Sequence, residues 1–415
     1  MNALRPPSLV FWHTQPRSRV LGFALVVGLV VVAAVRAVSW AVGDDLAYLD
    51  PPAALQVRAD HPMAIGSVAE LNWALGQHAP AIAMARQAAA ANPMNGAGYR
   101  VLALVAAAQG QEARAVGLMH QALQRSPGDL TARRWLAEQA QAAGQWRRAL
   151  PLQDRLLRQA PDEGAAWFEE WTARLQEPAV RSAMQPILAA APPWREAFLA
   201  HYAQKAPAST DVDALLSQLP GLSPAEAAAW LGRLVADGRW AEAHTQWATL
   251  GGAGAARPLT AGGLVNGGFE TAPGLPPFDW SIRAPAGVQA SLSVVDGRPG
   301  QALRLQFLGK RSAFNGVQQT VLAAPGPHTL HWAYRLEALT TPRGLRWVAA
   351  CASTGVELGA SPLLAGQAAW RDAHFAFEVP AGCPAVALRL ELAARIPAET
   401  QAYGTAWFDD IRLDG

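Results

Sequence analysis

A 34-residue spacing recurs along the first half of the chain. Gly76, Gly110 and Gly144 keep it, and so do Pro93, Pro127 and Pro161. Five residues after each glycine stands an alanine, Ala81, Ala115 or Ala149, followed by Ile82, Val116 or Leu150. A period this short constrains the fold more than any motif, because each unit must be one small supersecondary element that stacks on the next. The pattern predicts helical hairpins. The glycine ends the first helix, where a left-handed residue is needed. The alanine lets the second helix approach the first, and the proline closes a helix that it cannot continue. Units over 62–95, 96–129 and 130–163 keep this pattern.

The repeat resembles the tetratricopeptide repeat, which has this length and these small, glycine and proline positions. Residues 164–188 begin with Trp167 but carry Pro178 where the turn glycine should stand. Trp230-Leu231-Gly232, Gly238, Trp240, Ala243 and Trp247 then restore the pattern, so an all-α array is expected over 62–251. Such repeats stack into a solenoid with a concave surface. The resemblance implies that this surface docks a protein partner. Asn72, Arg100, Arg133 and Arg134 are either groove residues or solvated ones.

The amino terminus sets the compartment. Residues 20–35 are apolar or glycine without a break, Arg36 interrupts, and 37–42 continue the stretch. Together they supply the ~20 residues of one bilayer crossing. Arg36 can snorkel from near the outer end, and Trp40 suits the interface. Arg5, Arg17 and Arg19 precede the run, while Asp44 and Asp45 follow it. The positive-inside rule therefore places 1–19 in the cytoplasm, a single transmembrane helix at 20–42 and the rest outside a bacterial inner membrane, in the periplasm. A cleaved signal peptide is the competing reading, since Ser39-Trp40-Ala41 offers small residues at a workable spacing. Either reading exports the remainder. Residues 43–61 then read as a linker.

A second linker is expected at 252–259, where Gly251-Gly252-Ala253-Gly254 breaks the helical pattern. No strand precedes it and no GK[ST] follows, which argues against a phosphate loop. From 260 to 415 the period falls to two. Leu303, Leu305 and Phe307 alternate with polar residues, as do Leu330, Trp332, Tyr334 and Leu336. Leu345, Trp347, Ala349 and Cys351 form a further row, followed by Phe375, Phe377 and Val379, and by Val386, Leu388, Leu390 and Leu392. Short strands with one apolar face predict an all-β sandwich. Trp332, Tyr334 and Trp347 run in phase with leucines and are expected in its core. His331, Arg335, Glu337, Arg304, Gln306, Arg389 and Glu391 form the candidate glycan-binding set on a polar face without an aromatic platform, or else a solvated sheet.

The module opens with Leu264-Val265-Asn266-Gly267-Gly268-Phe269-Glu270 and closes with Ala406-Trp407-Phe408-Asp409-Asp410-Ile411. These ends resemble the jelly-roll, galactose-binding-like carbohydrate-binding modules found beside xylanases and other glycanases. The resemblance implies neighbouring first and last strands and a structural calcium, with Glu270 and Asp409 at the positions of its carboxylates. The alternative is that both carboxylates bond backbone amides or an arginine. Cys351 and Cys383 would form a disulfide in an oxidising periplasm, contributing roughly 2–4 kcal/mol. Two free buried thiols are the alternative.

Composition excludes more than it assigns. The formal net charge is +2, and Lys205 and Lys310 are the only lysines, so no basic stripe suggests nucleic acid. No HExxH, GxSxG, Walker sequence or His/Cys cluster is present, and Glu169-Glu170 reads as a solvated helix face. The expectation is a non-enzymatic protein with no cofactor beyond one calcium. An anchor, a repeat array and a glycan-module-like sandwich together resemble the membrane-anchored repeat proteins that accompany bacterial exopolysaccharide and O-antigen assembly. A purely structural envelope scaffold and a glycan hydrolase or lyase are the alternatives.

Overall fold

The structure is a computed structural model and describes residues 16–251 and 263–415. The glycine-rich linker and most of the expected cytoplasmic segment lie outside these residues. The chain divides into two compact units, Met1–Gln159 and Ala160–Gly415.

In the first unit, helix α1 (Pro16–Leu49) is apolar and long enough over Gly22–Leu49 to cross a membrane. At ~1.5 Å rise per residue the helix outruns a ~30 Å hydrocarbon core. Its end, which the sequence suggested would be linker, is held by an elbow formed with the short helix α2 (Pro51–Val57). Arg58 lies 5.2 Å over the Trp40 ring and pairs with Asp44 at 3.5 Å. His61 accepts the Ala64 amide at Nδ1 (3.2 Å), capping the next helix, and thereby leaves its Nε2–H to donate to Asp44 (2.7 Å).

Three hairpins follow: α3 (Pro62–Ala74) with α4 (His78–Ala91), α5 (Ala97–Ala108) with α6 (Glu112–Arg125), and α7 (Leu130–Ala142) with α8 (Trp146–Gln159). Gly76, Gly110 and Gly144 occupy the turns at φ 74°, 72° and 67°. Ala81, Ala115 and Ala149 are all 0% exposed, so nothing larger fits between paired helices. A side chain at Gly110 would meet no atom within 4 Å, so its substitution tests backbone conformation alone. Gly110→Ala is expected to cost about 1–2 kcal/mol in urea unfolding, the penalty of a Cβ in the left-handed region. Arg100 on α5 ties the stack together, pairing with Glu70 of α3 and with Asp129, whose Oδ1 also caps α7. Burial pushes the Glu70 carboxyl up, against the opposing pull of Arg100. Arg133 is buried and donates to Gln159 (2.8 Å).

The second unit begins with α9 (Gly164–Arg174), α10 (Pro178–Ala189), α11 (Arg195–Lys205), α12 (Ser209–Leu216), α13 (Pro224–Ala236) and α14 (Trp240–Thr249). Phe168, Trp171, Trp194 and Phe198 form its aromatic centre, with ring centroids 5.1–6.3 Å apart. A buried pair, Arg195 and Glu226, joins α11 to α13.

The sandwich is built from β1 (Ser281–Ile282), β2 (Val288–Val294), β3 (Gln301–Arg311), β4 (Val317–Val321), β5 (Gly326–Thr340), β6 (Leu345–Cys351), β7 (Glu357–Ala360), β8 (Gly366–Val379), β9 (Val386–Leu392) and β10 (Gln401–Asp414). One sheet has the order β1-β4-β9-β6-β7 and the other β2-β3-β10-β5-β8, all neighbours antiparallel. Every alternating row read from the sequence enters one shared core, including Trp332, Tyr334 and Trp347. Cys351 and Cys383 stand at disulfide distance, with Cα atoms 5.7 Å apart. Trp247 and His244 of α14 pack against the buried Phe278, with centroids 5.9 and 5.0 Å away, so the last helix rests on the sandwich.

Candidate functional site

The site is centred on β10, the middle strand of the second sheet. Ala402, Ala406 and Phe408 turn into the core. Strand alternation therefore turns Tyr403, Thr405, Trp407 and Asp409 to the outer face. Trp407 stands directly opposite Arg304 on β3 and Arg335 on β5. Their guanidinium carbons lie 5.9 and 5.1 Å from the Trp407 ring centroid. Cations over an indole face are held by its quadrupole. The two arginines cover the ring so fully that Trp407 is only 7% exposed.

Around this layer Arg304 donates to Gln306 (3.0 Å) and Arg335 to Glu337. Thr405 lies opposite Gln306 and Glu337. Tyr403, 63% exposed, marks the open end of the face. The other end is closed. The β2–β3 turn reaches across to β8, where Arg298 stacks 5.3 Å over Trp370 and pairs with Asp372 at 2.9 Å, while Trp370 Nε1–H donates to the Asp296 carbonyl (3.0 Å).

The seven polar residues expected on one surface do not share it. Arg304, Gln306, Arg335 and Glu337 come together around Trp407. His331 is on the same face of β5 but faces Asp414 (3.2 Å) and stacks on His374 (5.5 Å), away from the arginine layer. Arg389 and Glu391 are on β9, in the other sheet, and their place in the set is corrected here. There Arg389 pairs with Glu391 (2.8 Å) while Arg346 bridges Glu391 (2.8 Å) and Glu357 (3.0 Å). Alternation reveals which residues point outward, but not from which sheet. The face also has an aromatic, contrary to expectation. Trp407 was hidden in the apolar run Ala406-Trp407-Phe408, where its position between two inward residues was the available signal.

Glu270 and Asp409 meet near Gly268, from whose would-be Cβ Asp409 Oδ1 and Glu270 Oε1 lie 3.7 and 3.9 Å away. Residues 264–270 do not form the strand expected of them. Asn266 and Phe269 take φ 50° and 54°, so the segment meets β10 through one Ile411 amide to Gly267 carbonyl bond of 2.9 Å. Glu270 accepts the Gln301 amide (3.2 Å) and Asp409 the Asp410 amide (2.7 Å). Asp409 is 5% exposed. Burial pushes its carboxyl up, the Asp410 amide and Arg298 pull it down, and the Asp410 and Glu270 charges push it up again. Two hard oxygen donors, one of them penalised by burial while ionised, fit a calcium ion, and backbone carbonyls and water would have to complete its shell. Among the described residues no three His, Cys, Asp or Glu side chains gather as a metal site.

Of the repeat-groove candidates, Arg100 and Arg133 are spent on contacts within the stack, and Asn72 Nδ2 lies 3.3 Å from Met84 Sδ.

The tetratricopeptide repeat family model matches residues 106–169. No curated protein matches the chain. Among solved structures, a CBM4 module is similar, with 16% identity and a TM-score of 0.28, over 36% of this chain and 98% of its own. The CBM22-1 xylan-binding domain of Paenibacillus barcinonensis Xyn10C is 17% identical, with a TM-score of 0.24, over 32% of this chain and 83% of its own. TmCBM61, solved with β-1,4-galactotriose, is 14% identical, with a TM-score of 0.26, over 37% and 99%. The chain joins one apolar amino-terminal helix, a tetratricopeptide-repeat stretch and a carboxy-terminal β-sandwich with structural matches among carbohydrate-binding modules.

Proposed function

We propose that this chain is a non-catalytic adaptor of the bacterial envelope, anchored by α1 with its bulk in the periplasm. Its repeats dock a protein, and the outer face of the second sheet holds a glycan during exopolysaccharide or O-antigen assembly. The observation that carries the glycan part is the arrangement of Arg304, Gln306, Arg335, Glu337 and Thr405 around Trp407, closed at one end by the β2–β3 turn. Hydrogen-bonding side chains converging around an aromatic on one sheet face are the ordinary makings of a specific ligand site. The test is calorimetry of the full chain in detergent against the surface polysaccharides of its own cell. Saturable binding that Trp407→Ala removes is expected. A folded protein that binds none of them would end the glycan reading.

A second reading draws on Phe278 packing against α14. In it the sandwich caps the repeats as a protein-contact module and meets no sugar. In cells, Trp407→Ala should lower polymer yield or alter chain length under the glycan reading, whereas unchanged polymer would favour the cap.

Calcium at Glu270 and Asp409 is part of the same proposal. Because the folded-state pKa of Asp409 is raised, its contribution to stability is present below the unfolded pKa of about 3.9 and is lost as pH rises through the folded value. A bound cation offsets that loss. In the metal-free chain at pH 7, Asp409→Asn should therefore be more stable than the parent, with the gap closing in acid. Millimolar calcium should raise the Tm of the parent only; an equal shift in the variant, or none in either, would remove the ion.

A further inference from the structure

The arginine layer names a class of sugar. Neutral glycans are usually gripped by stacking a pyranose on an open aromatic ring, and Trp407 does not offer one: at 7% exposure its indole is covered by two guanidinium groups. A ligand arriving over β10 meets these cations first. Held beside the indole, each guanidinium is positioned in advance, which reduces the ordering cost of the hydrogen bonds it then makes. Arginine carries five N–H donors in a planar fork that matches a carboxylate. Arg335 spends donor capacity on Glu337 and Arg304 on the neutral Gln306 amide, and among the described residues no carboxylate lies within ion-pair distance of Arg304. One cation at the centre of the face is thus left without a counter-charge.

Building on the glycan reading above, we propose that this face takes a uronate-bearing polysaccharide, with a sugar carboxylate received between Arg304 and Arg335. Tyr403 is the one exposed ring on the same face of β10. Four residues along the strand, at ~3.3 Å each, place it roughly 13 Å from Trp407. That separation suits a neighbouring sugar stacked on the phenol while the acidic unit sits on the arginines.

The experiment is calorimetry of the full chain in detergent against polygalacturonate and alginate, with xylan and galactan as neutral probes and polyglutamate as a non-sugar polyanion. Expected are saturable binding of an acidic polysaccharide and an affinity that falls as salt is raised from 50 to 500 mM, with neutral polymers bound at least tenfold more weakly. Arg304→Gln and Arg335→Gln should each lose about tenfold or more, the usual weight of a charged hydrogen bond. Circular dichroism of both variants checks that the sandwich stays folded. Neutral polymers binding as tightly, with salt and both substitutions silent, would overturn the acidic class and leave the glycan reading standing. Polyglutamate binding in place of every polysaccharide would assign the face to an acidic protein segment and overturn both. A folded chain that binds no probe overturns the acidic class, and the glycan reading is then decided by the surface polysaccharides of its own cell.

Discussion

Replacing Glu226 with alanine should lower the stability of the second unit by about 3–5 kcal/mol, the cost of stranding a buried charge. Arg195 and Glu226 are 3% and 4% exposed. They meet through two parallel bonds, Nε to Oε1 at 2.8 Å and Nη2 to Oε2 at 2.7 Å. The remaining Arg195 donors reach the carbonyls of Leu188 (3.0 Å) and Gly221 (3.2 Å), so the guanidinium has no route to water. Glu226 also closes a capping box at the start of α13, its Oε2 accepting the Ser223 amide (2.8 Å) while Ser223 Oγ accepts the Glu226 amide (3.2 Å). Alanine removes the counter-charge and that cap together. The double variant Arg195→Met with Glu226→Leu should recover most of the loss, since an apolar pair of similar volume carries no desolvation penalty. Guanidine unfolding followed by tryptophan fluorescence measures both. A single-variant loss below 1 kcal/mol would show that water reaches Arg195.

A comparable loss is expected in the sandwich. Trp347 on β6 is 0% exposed and lies between Trp280 and Phe408, at centroid distances of 6.0 and 5.8 Å. Trp347→Ala should cost about 3–5 kcal/mol, because the rigid walls of two sheets cannot close on the cavity. Phenylalanine should cost much less. Among the described residues the indole Nε1–H is buried without a partner, so replacing it with a ring that has no donor removes a penalty of about 1–3 kcal/mol, offsetting part of the lost volume. A Trp347→Phe variant as damaged as Trp347→Ala would mean that the N–H finds a bond in solution. The two variants separate the packing contribution of that site from its polar cost.

Much of this molecule was legible in one dimension. The glycines at 34-residue intervals needed no neighbours to be interpreted: a left-handed turn is a local demand, and it recurs wherever a hairpin recurs. The period-two rows likewise determined which side chains enter the sandwich core, because burial on one face imposes alternation on every strand. The apolar helix followed from length and composition alone.

The site was legible only in part, for three physical reasons. Alternation separates inside from outside without saying which sheet a strand joins, so Arg389 and Arg304 looked equivalent until β9 and β3 were seen in different sheets. The run Ala406-Trp407-Phe408 is apolar on both faces of β10, so the outward tryptophan carried no polar neighbours to reveal it. Asp410, at φ 51°, interrupts the strand and resets its phase, returning Ile411 and Leu413 to the core where simple alternation from Phe408 would turn them outward. The sequence by itself determined the apolar amino-terminal helix, the hairpin repeat and the set of buried residues, all of which follow from local periodicity and solvent. Tertiary structure alone decided that Arg304 and Arg335 close over Trp407, since that contact depends on pairing β3, β10 and β5, strands far apart in the chain, and pairing order leaves no periodic trace.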